Sequence, residues 1–184
     1  HKGCSSGGGF RVGRKQDFSF GIQVGDGPGI GQAPMRLMRL RLIVAGKPSL
    51  AYAKSGVEEY LKRMSRYGGC ELLVVKAGNQ DQVSERLLER SKGCYRIALD
   101  ERGKSLGTRT FATRLQSLEL RGDVTTIAFL IGASDGHNEH LRSECDELLT
   151  LSPFTLQHEL ALLVLLEQLY RVASLKSGSP YHRD

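Results

Sequence analysis

From Arg39 onward, short apolar runs alternate with amphipathic stretches, and this alternation sets the expected secondary structure. RLRLIVAG at 39–46 reads as a strand that stops at Gly46. Pro48 and Ser49 then open a helix, because Leu50, Ala53, Val57, Tyr60, Leu61 and Met64 recur at helical spacing. ELLVVKAG at 71–78 is a second strand, and Asn79 or Asp81 can cap the helix carrying Val83, Leu87 and Leu88. CYRIALD at 94–100 is a third strand, followed by a helix marked by Phe111, Leu115 and Leu118. DVTTIAFLIG at 123–132 is the most β-branched run and is the expected central strand. After GASDG come a short helix, an apolar run at Leu148–Leu151, and a long helix over about Gln157–Lys176. Strands alternating with helices predict a parallel α/β sheet.

The first 38 residues break this pattern. Ten of the first 31 are glycine, with neither helical nor strand periodicity, so residues 1–38 are expected to be a disordered leader ahead of a domain at 39–184. No window there fits GxGxxG, which excludes a dinucleotide loop. A basic, Ser-containing leader reads either as an organelle transit peptide or as an arbitrary extension.

Composition narrows the class. A chain of 184 residues, 40% hydrophobic and 25% charged, fits one globular domain. Its longest apolar run, LALLVLLEQL, is interrupted by Glu167 and Gln168 and falls short of the roughly 20 residues that span a bilayer, so no membrane partner is expected. Cysteines 4, 70, 94 and 145 make no CxxC pair and read as reduced thiols, with no metal knuckle. The formal charge is +6, of which the leader contributes +3 through Lys2, Arg11, Arg14, Lys15 and Arg36 against Asp17 and Asp26. The remaining +3 permits an RNA partner without requiring one.

Ligands of open parallel sheets bind at the carboxyl ends of the strands. Three turns fall there, LDERGK, IGASDG and LSPFTLQH; each alone reads equally as an ordinary strand-to-helix turn rich in Gly, Asp and Ser, and together they would form one crevice. GKS at 103–105 is not a Walker motif, since the position five before Gly103 is Ala98. His137 and His140 with Glu139 and Glu144 make HxEH, not HExxH, and read as a solvated helix start, with no metal expected. No GxSxG supports a serine nucleophile. His158, at the expected N-terminus of the long helix, sits where the macrodipole favours neutral imidazole, suited to a base or a ligand donor; a capping or packing histidine is the other reading. Tyr181, His182 and Arg183 in the tail could stack on a base and pair with phosphate, or simply be solvated.

The ordered spacing of LDERGK, FLIGASDGH, LSPFTLQH, EQLYR and the terminal YHR resembles the RlmH-type (YbeA-like) branch of the SPOUT methyltransferases, over about residues 39–184. LDERGK and the run into EQLYR look closer to plant-type members. The resemblance implies an α/β knot, a parallel sheet whose C-terminal segment threads a loop as a trefoil, contrary to the usual rule against threading. It implies a homodimer that uses S-adenosyl-L-methionine to methylate N3 of a pseudouridine in large-subunit ribosomal RNA. Carried over by position, the cofactor contacts are Leu99, Gly132, Ala133, Leu151, Ser152, Pro153, Phe154, Thr155 and Leu156. The RNA-side and catalytic positions are His158, Arg171, Tyr181, His182 and Arg183.

The chain departs from the family pattern twice. It has IGA where IGG is usual, which would strain Ala133 by about 1 kcal/mol if that position needed positive φ. It has QHE where a PH pair is common, which places the Glu159 carboxylate beside His158. The small basic excess implies recognition of assembled ribosomes or subunits, not of naked RNA. Ala133 keeps open a second reading, a knotted, non-catalytic RNA-binding or ribosome-assembly protein. The plant-like motifs and the leader point to import into plastid or mitochondrion, with a cytoplasmic location if the leader is not a transit peptide.

Overall fold

The computed structural model describes residues 38–178. Residues 1–37 of the expected leader, and Tyr181, His182 and Arg183, lie outside the described residues. Strands β1 (Arg39–Ala45), β2 (Glu71–Val75), β3 (Tyr95–Ser105), β4 (Thr126–Ile131) and β5 (Glu147–Thr150) form one sheet in the order β2-β1-β4-β3-β5. Every ladder in it is parallel. The helices are α1 (Ala51–Met64), α2 (Gln80–Arg90), α3 (Thr108–Leu120), α4 (Glu139–Ser143) and α5 (His158–Lys176), with a 3-10 turn at Ser65–Tyr67.

Alternation along each strand divides the core in two. Leu42, Val44, Ile97, Ile127, Phe129 and Ile131 point to the face covered by α1, α3 and α5. Ile43, Ala45, Ala98, Ala128 and Leu130 point to the face covered by α2 and α4. Helices on both faces explain why β4 reads as a continuous apolar run and is buried from Ile127 through Ile131, the expected central position. In α5, Leu162, Leu165, Leu166, Leu169 and Val172 are buried at helical spacing. Each such burial is worth roughly 1.5–3 kcal/mol of transfer free energy.

The capping ambiguity resolves by a division of labour. Asn79 Oδ1 accepts from Gln82 N at 2.9 Å and caps α2, while Asp81 accepts from Asn138 Nδ2 at 2.8 Å and ties α2 to the start of α4. Ser49 does not cap α1 with its own side chain acting as acceptor, and no acidic residue lies in the first turn of that helix. Glu159, reaching over from α5, accepts instead from Ser49 N (2.9 Å), Ser49 Oγ (2.8 Å) and Leu50 N (3.0 Å).

Three strand boundaries differ from the sequence expectation by three residues or more. β2 stops at Val75, three residues short of Gly78. β4 begins at Thr126, after Arg121 and Asp123 have paired across the preceding turn. β3 does not end at Asp100: it runs to Ser105, with Leu99 and Lys104 both opposite Leu149 and a register shift between them. The reason lies at Gly103, whose added Cβ would stand 2.4 Å from Leu149 N and 2.6 Å from Leu148 C. A bare Cα lets the LDERGK backbone press against β5 where a turn away from the sheet was expected.

Candidate active site

A cavity of about 540 Å³ opens at the carboxyl ends of β3, β4 and β5 and the N-terminus of α5. That size is within the roughly 300–1,000 Å³ of small-molecule sites. Its lining includes all nine positions singled out as cofactor contacts, Leu99, Gly132, Ala133, Leu151, Ser152, Pro153, Phe154, Thr155 and Leu156, together with His158. The three segments therefore do meet in one crevice.

The turn after β4 is built for close approach. A Cβ on Gly132 would stand 3.0 Å from the Gly136 carbonyl oxygen and 3.1 Å from His137 Cε1. The left-handed residue of the turn is Gly136 (φ +70°), whose N–H donates to the Ala133 carbonyl at 3.0 Å, and Ala133 faces it in an antiparallel bridge. The turn thus places its positive φ on a glycine. From the far side, Gln80 Nε2 donates to the Asp135 carbonyl at 2.6 Å and fixes the loop to α2.

The segment after β5 is held by its own hydroxyls. Thr150 Oγ1 donates to the Ser152 carbonyl at 2.9 Å, and Ser152 Oγ accepts from Phe154 N at 2.9 Å. Phe154 is left 82% exposed at the cavity. Gln157 caps α5 by accepting from Glu159 N (2.9 Å) and Leu160 N (3.1 Å), and its Nε2 lies 3.3 Å from His158 Nδ1. His158 is half-buried. The Glu159 carboxylate is engaged by Ser49 and Leu50 and is only 4% exposed. Burial would raise its pKa, but the Leu50 and Ser49 donors outweigh burial and hold the carboxyl below the usual glutamate range.

Arg171 does not line the cavity. Its guanidinium pairs with Glu167 at 2.6 Å, and thirteen residues of α5 separate it from His158, about 20 Å along the axis at 1.5 Å per residue. Within EQLYR, Gln168 accepts from Thr108 Oγ1 at 2.8 Å and donates to Glu167 at 2.6 Å, so this motif ties α5 to the start of α3.

Several lining residues were not foreseen from the sequence. Asp100 accepts from Arg102 N at 3.0 Å and pairs with Arg142 at 3.4 Å; Arg142 also pairs with Glu139 at 3.1 Å and donates to the His137 carbonyl. The expectation of a solvated helix start holds for the exposed His140 and fails for His137, which is 1% exposed. Gly136, by turning the chain back under Gly132, carries His137 inward. Burial lowers the pKa of this imidazole, against the opposing pull of Asp100 and the Leu130 and Leu99 carbonyls, so the ring is neutral at pH 7. Both ring nitrogens are buried, with the Leu130 and Leu99 carbonyls beside the ring and no well-aligned hydrogen bond to either.

A parallel α/β sheet with a glycine-lined crevice at the strand ends defines a small-molecule-binding α/β protein. A family model described as "Predicted SPOUT methyltransferase" matches residues 38–182, and the chain belongs to the SPOUT methyltransferase family. It is 51% identical over 146 residues to a Ribosomal RNA large subunit methyltransferase H of Thermus thermophilus, covering 79% of this chain and 99% of that protein. The protein of the same name from Deinococcus radiodurans is 42% identical over 146 residues, with the same two coverages. A probable methyltransferase from Bordetella pertussis Tohama I shares the fold, with a TM-score of 0.52 at 17% identity, covering 74% of this chain and 95% of that one. The family's methyl donor is S-adenosyl-L-methionine. The crevice fits such a group: its volume lies in the small-molecule range, and its lining is formed by the backbone turns at 132–136 and 151–156 with the exposed Phe154 ring beside them.

Proposed function

We propose that this protein transfers the methyl group of S-adenosyl-L-methionine to large-subunit ribosomal RNA, at N3 of a pseudouridine, on assembled ribosomes or subunits. One observation carries the reading: the nine positions matched to cofactor contacts, scattered over 58 residues of sequence from Leu99 to Leu156, line a single cavity with His158 at its edge. The relatives named for large-subunit RNA methylation support the substrate.

The donor supplies a methyl group already activated by the positive sulfur, so the protein's work is alignment and stabilisation of the deprotonated base. The turns at 132–136 and 151–156, fixed by Gln80 and by Ser152, would hold the donor. His158, positioned by the Gln157 cap, meets the incoming base; the N3 proton passes to solvent water, and when Gln157 donates to Nδ1 the ring carries its own proton on Nε2 and offers a donor to the resulting imide anion. Phe154 gives the base an aromatic surface.

The active species is a homodimer. The separation of Arg171 from His158 along α5 supports sites shared between protomers, with Arg171 and the tail residues Tyr181, His182 and Arg183 serving the partner's RNA site. The trefoil threading belongs to the same reading. The alternative, a knotted RNA-binding protein without cofactor, rests on the added methyl of Ala133 in the crevice, and cofactor binding separates it from this reading.

Titration calorimetry with S-adenosylmethionine and S-adenosylhomocysteine, followed by transfer of labelled methyl to purified ribosomal subunits, tests the reading. Micromolar binding and label confined to one pseudouridine of the large subunit are expected. A folded protein that binds neither compound would overturn it.

A further inference from the structure

A second cavity, of about 790 Å³, lies along the edge strand β2 and helix α2, and most of its lining is charged. Lys92 pairs there with Glu89 at 2.5 Å, and Arg96 with Glu144 at 3.7 Å. That leaves Lys76, Arg86 and Arg90 against Glu85 alone, an excess of two positive charges in a domain whose whole excess is three. None of these three cations has an ion pair among the described residues. Arg86 donates from Nη1 to the Lys76 carbonyl at 2.9 Å and the Ala77 carbonyl at 3.2 Å, which braces the turn after β2 and holds two of the cations together. Gly78 makes room for this, since a Cβ there would stand 2.8 Å from Arg86 Nη1. Arg86 and Arg90 lie four residues apart on α2, on one side of the helix and about 6 Å apart along its axis. The same helix begins at Gln80, which lines the crevice, so the two guanidinium groups follow about 9 Å and about 15 Å along the axis from the crevice rim.

We propose that this groove is a second RNA contact: Lys76, Arg86 and Arg90 bind phosphates of the strand that flanks the target nucleotide. The inference rests on the reading of ribosomal RNA as the substrate and adds a surface outside the crevice. Phosphate contacts fix the register of a nucleic acid without reading its bases, which leaves base selection to the crevice. The charges of α2 are arranged for such a ligand and not for the helix itself. Glu85 and Glu89 share one stripe and Arg86 and Arg90 the next, and like charges four residues apart destabilise an isolated helix. A row of cations along one helix side fits a ligand with a repeating negative charge. Gathering the basic excess in one groove also gives a nearly neutral domain a local field that attracts such a ligand.

The test measures co-sedimentation of the full-length protein with purified assembled ribosomes over a range of salt concentrations, for the parent and for K76A/R90A, R90E and R66E. Arg86 is spared because it braces the turn. Arg66, in the 3-10 turn and outside this groove, gives a control with the same change of net charge as R90E. K76A/R90A is expected to bind about tenfold more weakly, with the slope of log affinity against log salt reduced by about 1.5, and R90E to bind at least as weakly. R66E should stay within about twofold of the parent. For K76A/R90A the KM for ribosomes should rise while kcat and the affinity for S-adenosylhomocysteine hold within about twofold, a split that damage to the crevice does not produce. K76A/R90A and R90E binding like the parent, an unchanged salt slope, or an equal loss in R66E overturns the groove assignment alone. A parent protein that binds S-adenosylhomocysteine but neither binds nor methylates ribosomes overturns the RNA reading and this inference with it.

Discussion

Replacing Glu159 by alanine removes the acceptor that closes the N-terminus of α1. The wild-type carboxylate takes hydrogen bonds from Ser49 N, Ser49 Oγ and Leu50 N at 2.8–3.0 Å while only 4% exposed. No residue of α1 substitutes, because its N-cap, Leu50, has no capping side chain and its first turn has no acid. Loss of a cap costs about 0.5–2 kcal/mol, and each hydrogen bond to a charged group about 1.5–3 kcal/mol before the freed amides recover water. Together these give a loss of about 2–4 kcal/mol, or about 5–15 °C in melting temperature for a domain of this size. Thermal unfolding by circular dichroism at neutral pH measures it directly. The pH dependence has a definite sign. The folded-state pKa lies below the ordinary 4.5, so the contribution is complete above that value and is lost as pH falls through the folded-state pKa. The gap between wild type and E159A should therefore close in acid. A melting temperature within about 2 °C of wild type at neutral pH, or a gap that persists undiminished to about pH 3, would refute the capping role.

The same physics yields further expectations. G103A puts a Cβ 2.4 Å from Leu149 N, and because the obstruction is backbone it cannot rotate away. A destabilisation of about 1–3 kcal/mol or more is expected in urea unfolding, and a variant within about 0.5 kcal/mol of wild type would show that β3 and β5 separate easily there. Burial pushes the thiols of Cys70 and Cys145 up to about 11. At pH 7.5 peptide mapping should find both alkylated by iodoacetamide about a hundredfold more slowly than a free thiol of pKa near 9; equal rates would mean that these sites open to solvent.

The α/β class, the order of the elements and the central position of β4 were legible in the residue pattern. Alternation and helical spacing are local patterns, and they mark which positions of an element are apolar before any partner is known. The resemblance supplied positions for the crevice, and the fold brings the described cofactor positions together. The rest depends on contacts between residues far apart in the chain. Glu159 reads locally as a neighbour of His158, yet its partners are Ser49 and Leu50, 110 and 109 residues away. LDERGK reads as a turn, yet the proximity of Leu149 to Gly103 keeps it on the sheet. His137 reads as a solvated polar residue, and no periodicity marks it otherwise, because its burial depends on a left-handed Gly136 and on Arg142 and Gln80 gripping the loop from two helices. Spacing along a chain records which face a residue takes within its own element, whereas the partner of a charge or the closeness of two backbones is fixed only when elements from different parts of the chain pack together.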